Sequence, residues 1–170
     1  RFFESWNERV FSGLAGPDNV FVQDNHSGSR RHVLRGLHYQ AAPHEQGKLV
    51  TVLEGSVFDV VVDIRRASET FGRWYGCDLS QENRRQLWVP EGFAHGFVVL
   101  SETALFHYLC SAPYVAEADA GIRWNDPQIG IVEALREPLG LDQVLGIHER
   151  HCRPPNREAG IEPPAPMSLR

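Results

Sequence analysis

The sequence has few cysteines, no long apolar segment and no excess of positive charge. Its three cysteines, Cys77, Cys110 and Cys152, are scattered and form no CxxC pair, which favours a reducing cytoplasm over a disulfide framework. No apolar run approaches the ~20 residues of a membrane-spanning helix. The formal net charge of −5 argues against a general nucleic-acid or anionic-membrane binder. An anionic ligand would therefore need a local cationic pocket.

The length of 170 residues, with 42% hydrophobic and 23% charged residues, suits one globular domain with its own core. We place that domain at residues 1–131. Residues 132–170 form a divergent tail, helical in pieces and then proline-rich, which we expect to be disordered. Since the chain begins at Arg1 rather than methionine, we expect further residues to precede it.

The periodicity predicts an all-β domain with one short N-terminal helix. Apolar Trp6, Val10, Phe11 and Leu14 have helical spacing, which predicts a helix over Glu4–Leu14. From Val20 onward, eight short segments rich in β-branched and aromatic residues are separated by Gly, Pro, Ser and Asn. With no helical pattern between them, they favour an antiparallel sandwich or barrel.

The third and fourth of these segments, KLVTVLEG and SVFDVVVD, have the pattern of a hairpin that turns at Glu54-Gly55. In the fourth, Val57, Asp59, Val61 and Asp63 share one face. Asp59 fits the inner wall of a polar-lined barrel and a solvent-facing position equally well. Asp63, near the strand end, is expected to face solvent.

A base and two cations lie close together in the stretch 32–52. Arg35, His38 and Lys48 stand in strand-like sequence, and the turn-prone AAPHEQG separates the last two. A hairpin would bring His38 and Lys48 together. A lone strand histidine is usually a packed or surface residue, but an unperturbed imidazole can act as a base at neutral pH. A nearby Lys48 would lower the pKa of that imidazole and keep it neutral.

Pro90, Gly92 and His95 form the PxGxxH pattern typical of cupin β-barrels, where it turns the chain and points the histidine inward. Many cupins bind a metal through a preceding HxH, but here His38 is followed by Tyr39 and Gln40. Two histidines fall short of the three protein ligands of a catalytic metal, and His148, His151 and Cys152 lie in the tail. We therefore predict a metal-free site.

Tyr108 shares its strand face with Ala104, Phe106 and Cys110. From the strand pattern alone, a core tyrosine with a satisfied hydroxyl is the more frequent case. A neutral tyrosine could also donate a proton to a carbanion. Four further aromatic residues are expected in the core: Trp74, Trp88, Phe93 and Trp124.

Eight sequence runs extend from Phe2 to Ile131: FFESWN, FVQDNHS, VLRGLHYQ, QGKLV, GSVFDVVVDIR, TFGRW, LS-x-x-NRRQLWVPEGFAHGF and GIRWNDPQIGI. With these runs the chain closely resembles the dTDP-4-dehydrorhamnose 3,5-epimerase family of deoxysugar biosynthesis. The resemblance implies a cupin-like antiparallel β-barrel or jelly roll, assembled as a homodimer. It also implies action on a dTDP-linked 4-keto-6-deoxyhexose without a metal or redox cofactor.

The resemblance implies roles for individual residues. His38 is similar to the family's catalytic base, Tyr108 to its proton donor, and Lys48 and His95 to residues of the sugar site. Tyr114 matches the aromatic residue that stacks on thymine. The remaining matches are to nucleotide- and substrate-contacting positions: Glu4, Gln23, Asp24, Asn25, Arg35 and Asp119.

The chemistry of a 4-keto sugar fits these groups, because the ketone acidifies the hydrogens on C3 and C5. A base removes a proton, a fixed cation such as Lys48 stabilises the enolate oxygen, and an acid returns a proton to the other face. Arg35 suits a phosphate through bidentate hydrogen bonds.

The sequence departs from the family at three places. The family's first strand is missing, and Pro113 stands where a second tyrosine is frequent. The family normally continues after IGI with Trp-Pro and a Ser-x-Lys-Asp run whose Asp pairs with the catalytic histidine, whereas Asp142 is the only aspartate after Ile131 here. These departures leave two alternatives: a 3-epimerase or ketoisomerase on a related sugar, and a catalytically weakened sugar-nucleotide-binding cupin.

Overall fold

The computed structural model describes residues 2–132, which form two facing antiparallel sheets preceded by one short helix, as the sequence predicted. Of the predicted tail at residues 132–170, residues 133–170 lie outside the described residues. The elements are α1 Glu8–Ala15, β1 Gln23–Arg30, β2 Leu34–Gln40, β3 Lys48–Glu54, β4 Ser56–Asp63, β5 Trp74–Ser80, β6 Gln86–Val89, β7 Phe93–Val99, β8 Thr103–Cys110, a 3-10 helix Ala116–Ala118 and β9 Asp119–Ile122.

The strand order is β1-β8-β3-β6 in one sheet and β5-β4-β7-β2-β9 in the other. The predicted hairpin at Glu54-Gly55 is therefore wrong, because β3 and β4 belong to different sheets. Gly55 has φ +76, and a Cβ there would collide with the Thr103 carbonyl. The chain uses this glycine to cross from one sheet to the other.

The space between the sheets is filled at one end by an apolar core that includes Val50, Val57, Leu79 and Phe106. Phe106 on β8 stacks on Phe97 on β7 with ring centroids 4.2 Å apart, so the two sheets contact each other directly. Packed aromatic pairs of this kind contribute about 0.5–1.5 kcal/mol beyond their buried area.

A second cluster covers the other face of the five-stranded sheet. Leu37, Val60 and Val62 are buried there, and Trp124 and Ile131 pack with them. Both faces of β4 are thus covered. This explains why its sequence mixes apolar residues on both alternating sets, a pattern typical of a strand buried on two sides.

Asp63 at the end of β4 is 1% exposed, so the expected solvent-facing position is wrong. Its carboxylate accepts hydrogen bonds from the Arg65 guanidinium at 2.7 and 3.0 Å and from the hydroxyls of Ser68 and Thr70 at 2.6 Å each. Hydrogen bonding by Arg65, Ser68 and Thr70 holds the pKa of Asp63 below its usual range, against the opposing effect of burial. The carboxylate fixes the loop that follows the strand.

The helix is shorter than predicted because its N-cap is Asn7, whose side chain accepts a hydrogen bond from the Val10 amide at 3.2 Å. Phe11 is buried against Trp88, with ring centroids 5.2 Å apart. Val10 and Leu14 are exposed in the single chain. None of the helices within residues 2–132 has the length and apolarity needed to cross a membrane.

Candidate active site

A cavity of about 470 Å³ lies between the two sheets, and nine of the eleven predicted site residues line it. Phe97 and Phe106 separate it from the apolar core. The nine residues are Gln23, Asn25, Arg35, His38, Lys48, His95, Tyr108, Tyr114 and Asp119.

Arg35 and His38 both point into this cavity although they are three residues apart. On a regular strand that spacing would place them on opposite faces. The pairing of β2 with β7 shifts register between them, since Arg35 is opposite Phe97 and His38 is opposite His95. This irregularity, which sequence periodicity does not reveal, brings the base and the cation to one wall.

The His38 ring has a defined hydrogen-bonding partner. Its Nδ1 lies 3.0 Å from the Gly36 carbonyl oxygen. Since a carbonyl only accepts, Nδ1 carries the proton and Nε2 is the basic nitrogen. Burial, followed by the charge of Lys48, lowers the pKa of His38 to about 3. The imidazole is therefore neutral at physiological pH.

Lys48 is the only lysine in the chain and is 6% exposed. It approaches His38 from the opposite sheet rather than through the predicted hairpin, because β3 pairs with β6 and β8 and not with β2. Burial lowers the pKa of Lys48, while Cys110, Asp119 and Asp59 act in the opposite direction. In its ammonium form, Lys48 places a positive charge in a poorly solvated site.

Asp59 lies on the inner face of β4 and is fully buried, which resolves the two alternatives that its position in sequence left open. Both carboxylate oxygens are 3.0 Å from His95 Nε2. His95 Nδ1 is buried without a hydrogen-bond partner among the described residues. The Asp59–His95 pair thus leaves one ring nitrogen of a cavity-lining residue buried and unsatisfied among the described residues.

Tyr108 lies on the four-stranded sheet, directly opposite Asn25 of β1. Burial raises the pKa of Tyr108, so its hydroxyl stays protonated at neutral pH. His38 lines the same cavity from the five-stranded sheet. A neutral base and a neutral acid therefore enter one cavity from opposite walls.

Two predicted site residues do not line this cavity. Glu4 is exposed near the start of the helix, and its Oε2 accepts a hydrogen bond from the side-chain Nδ2 of Asn7 at 3.3 Å. Asp24 lies on the outer face of β1, 2.8 Å from His107 Nε2, with His26 close by. Their substrate-contacting roles stay predictions.

Gln40 and Gln46 also line the cavity and were not predicted. A signal existed for Gln40, because it follows His38 by two residues and so shares its strand face. No local signal marks Gln46, which lies in the loop before β3.

The sequence matches the family model described as dTDP-4-dehydrorhamnose 3,5-epimerase over residues 1–144. That match continues beyond Ile131, where the motif resemblance ended. The dTDP-4-dehydrorhamnose 3,5-epimerase of Shigella flexneri is 54% identical over 144 residues, which are 85% of this chain and 80% of that protein.

Solved structures give the same result. The dTDP-6-deoxy-D-glucose-3,5-epimerase of Legionella pneumophila Philadelphia 1, in complex with dTDP-4-keto-L-rhamnose, is similar with a TM-score of 0.74 and 54% identity. The match covers 76% of this chain and 69% of that one. A 3'-monoepimerase from Streptomyces bikiniensis in complex with dTDP-quinovose has a TM-score of 0.71 and 34% identity, with coverage of 75% and 65%. The chain described here belongs to the dTDP-4-dehydrorhamnose 3,5-epimerase family.

Proposed function

We propose that this protein epimerises C3 and C5 of dTDP-4-dehydro-6-deoxy-D-glucose and yields dTDP-4-dehydro-L-rhamnose for dTDP-rhamnose biosynthesis. The observation that carries the proposal is the placement of His38 and Tyr108 on opposite walls of one cavity that also contains the Lys48 ammonium. Inversion at a carbon next to a ketone needs these three functions.

In the proposed reaction, His38 Nε2 removes the proton from C3, and the electron pair of the C–H bond moves into the C3–C4 bond as the C4 oxygen becomes an enolate. Lys48 stabilises that oxygen. Tyr108 then gives its proton to the opposite face of C3, which restores the ketone with C3 inverted. Proton exchange with solvent resets the imidazolium and the phenolate, and the same steps follow at C5.

Burial is the main cause of the low pKa of His38, and Lys48 and His95 add to it. A developing enolate next to Lys48 carries negative charge, so the imidazolium becomes less unfavourable as the proton moves. His38 thus gains basicity when the reaction needs it.

We propose that His95 and the remaining site residues bind the substrate. With Nε2–H donating to Asp59, His95 Nδ1 is an acceptor, and a sugar hydroxyl is the matching donor. Arg35 places a guanidinium at the cavity for the diphosphate, and Tyr114 offers a ring for the thymine. The contacts proposed for the other positions rest on the family resemblance: Glu4, Gln23, Asp24, Asn25 and Asp119.

We also propose that the protein is a cytoplasmic homodimer without a bound metal. Support for association comes from the N-terminal segment, which exposes Phe2, Phe3, Val10 and Leu14 in the single chain. Light scattering on the purified protein measures the mass directly.

Two features support the proposed cytoplasmic location. The thiols of Cys77 and Cys110 are unpaired, and a nucleotide-sugar substrate also suits the cytoplasm.

The test is the stereochemistry of the product. The purified protein is incubated with dTDP-4-dehydro-6-deoxy-D-glucose, and the product is identified by NMR, with His38→Asn as the inactive control. Inversion at both C3 and C5 is expected. The similarity to the Streptomyces bikiniensis 3'-monoepimerase makes a 3-epimerase the second candidate, and inversion at C3 alone would establish it. Binding of substrate without inversion would indicate a non-catalytic protein.

A further inference from the structure

We propose that Gln40 and Gln46 are positioning residues that hold the segment Ala112–Val115, and with it Tyr114, at the wall of the cavity. The inference rests on the proposed function, because it concerns how the protein binds the nucleobase of its substrate.

The segment lies between β8 and the 3-10 helix and belongs to no strand. Its main-chain polar groups are therefore not part of a sheet ladder and form hydrogen bonds of other kinds. Pro113 has no N–H of its own. Four groups are instead bonded by glutamine side chains: the carbonyls of Ala112 and Pro113 and the amides of Tyr114 and Val115.

Gln40 is 6% exposed, and its amide group makes three hydrogen bonds to the main chain. Its Nε2 donates to the carbonyls of His44 at 2.8 Å and Pro113 at 3.1 Å, and its Oε1 accepts from the Val115 amide at 2.6 Å. Gln40 thus links strand β2, the turn that follows it and the segment.

Two more glutamines complete what we call the glutamine clamp, formed by Gln23, Gln40 and Gln46. Gln46 Nε2 donates to the Ala112 carbonyl at 2.6 Å. Gln23 Oε1, from β1, accepts from the Tyr114 amide at 3.0 Å. The segment is therefore tied to both sheets by side chains that themselves line the cavity.

The clamp fixes a ring that is suited to stacking. Tyr114 is 56% exposed and lines the cavity, and its hydroxyl donates to Asp119 at 3.3 Å. Its main chain and its hydroxyl are both held before a ligand arrives. Preorganisation of this kind raises affinity by lowering the ordering cost of binding. The clamp should therefore affect binding of the base and not proton transfer at His38.

The experiment compares two ligands that differ in the nucleoside, dTDP and inorganic pyrophosphate, by calorimetry. Gln40→Met and Gln46→Met remove amide groups of the clamp and keep side-chain length. The matched control is Gln86→Met, which removes a glutamine bond of the same kind, from Nε2 to the Ser5 carbonyl at 2.8 Å, outside the cavity. We expect dTDP to bind about tenfold more weakly to Gln46→Met, which loses one hydrogen bond to the segment, and more weakly still to Gln40→Met, which loses two. Pyrophosphate affinity should stay at the wild-type value, KM for the nucleotide sugar should rise by more than kcat falls, and Gln86→Met should bind both ligands like the wild-type protein.

A thermodynamic cycle tests whether Gln40 acts through Tyr114. In a Tyr114→Ala background, Gln40→Met should cause no further loss of dTDP affinity, because the ring that it positions is gone. Additive losses would contradict the proposal. So would unchanged dTDP affinity in the clamp variants, or an equal loss of dTDP and pyrophosphate.

The measurement on the wild-type protein tests the proposed function separately. Binding of dTDP no tighter than binding of pyrophosphate would contradict that function. That result would also remove the ground for the clamp. If Gln40→Met does not fold, Gln46→Met carries the same comparison.

Discussion

The substitution Lys48→Met separates stabilisation of the enolate from binding of the substrate. Methionine keeps most of the buried stem and removes the charge, at a position that is 6% exposed. Two unit charges about 4 Å apart interact by about 4 kcal/mol at an effective dielectric constant of about 20. Loss of one transition-state stabiliser measured in other enzymes costs about 2.7–4 kcal/mol, or about 10²–10³ in kcat. We expect a fall in kcat of that size, with a much smaller change in KM.

The same substitution should change the titration of His38. Lys48 is the second cause of the low pKa of His38, after burial. Its removal should therefore raise that pKa and move the acidic limb of the pH profile of kcat/KM to higher pH.

The charge of Lys48 can be checked in the wild-type protein, because a chain with one lysine gives one lysine Cε signal in ¹³C NMR. Its midpoint should lie below the ordinary value of 10.5. An unchanged kcat with a raised KM would show that Lys48 acts only in ground-state binding.

Three further predictions concern other groups. Tyr108→Phe should lower net epimerisation by about 10²–10⁴ and still permit solvent exchange, since His38 can return a proton to the original face. His38→Asn should abolish both epimerisation and exchange. Near-normal epimerisation by Tyr108→Phe would show that Tyr108 is a core residue and not the proton donor. Asp59→Asn should lower kcat/KM by about tenfold to a hundredfold, because it removes one charge-assisted hydrogen bond, to His95. Circular dichroism checks that the variant is folded, and wild-type kinetics would contradict the role of the Asp59–His95 pair. Asp63→Asn should lower the urea midpoint of unfolding at pH 7, and the difference from wild type should shrink below about pH 4. The reason is that a carboxyl whose pKa is depressed in the folded state stabilises the fold above its unfolded pKa and loses that effect as the pH falls. A difference in midpoint that is constant with pH would contradict this.

The strands could be predicted from local sequence, and so could the candidate roles of Arg35, His38 and Lys48, whereas the family resemblance alone pointed to Gln23, Asn25, Tyr114 and Asp119. Period-two alternation gave the two faces of β4, including the inward position that was one of two alternatives for Asp59. The helix start was misplaced because the spacing of Trp6 with later apolar residues outweighed the N-cap signal of Asn7. Both signals were present in the sequence.

Strand pairing could not be predicted in the same way. Gly55 looks like a hairpin glycine, but the same positive φ also serves a crossing between sheets, and the choice depends on contacts with distant Thr103. The inward position of both Arg35 and His38 depends on the register of β2 against β7. The buried position of Asp63 depends on hydroxyls of a loop that folds back on it. Each of these features is set by residues far apart in sequence or by loop geometry.

The central claim is that His38 and Tyr108 move protons at two carbons of the substrate from opposite walls of the cavity. The most direct measurement is the deuterium content of each carbon after the wild-type protein has acted on dTDP-4-dehydro-6-deoxy-D-glucose in D₂O, determined by mass spectrometry and NMR. The account predicts deuterium at both C3 and C5, with inversion at each. Deuterium at C3 alone would contradict the double epimerisation, and its absence from both carbons in a protein that binds the substrate would contradict the proton-transfer mechanism as a whole.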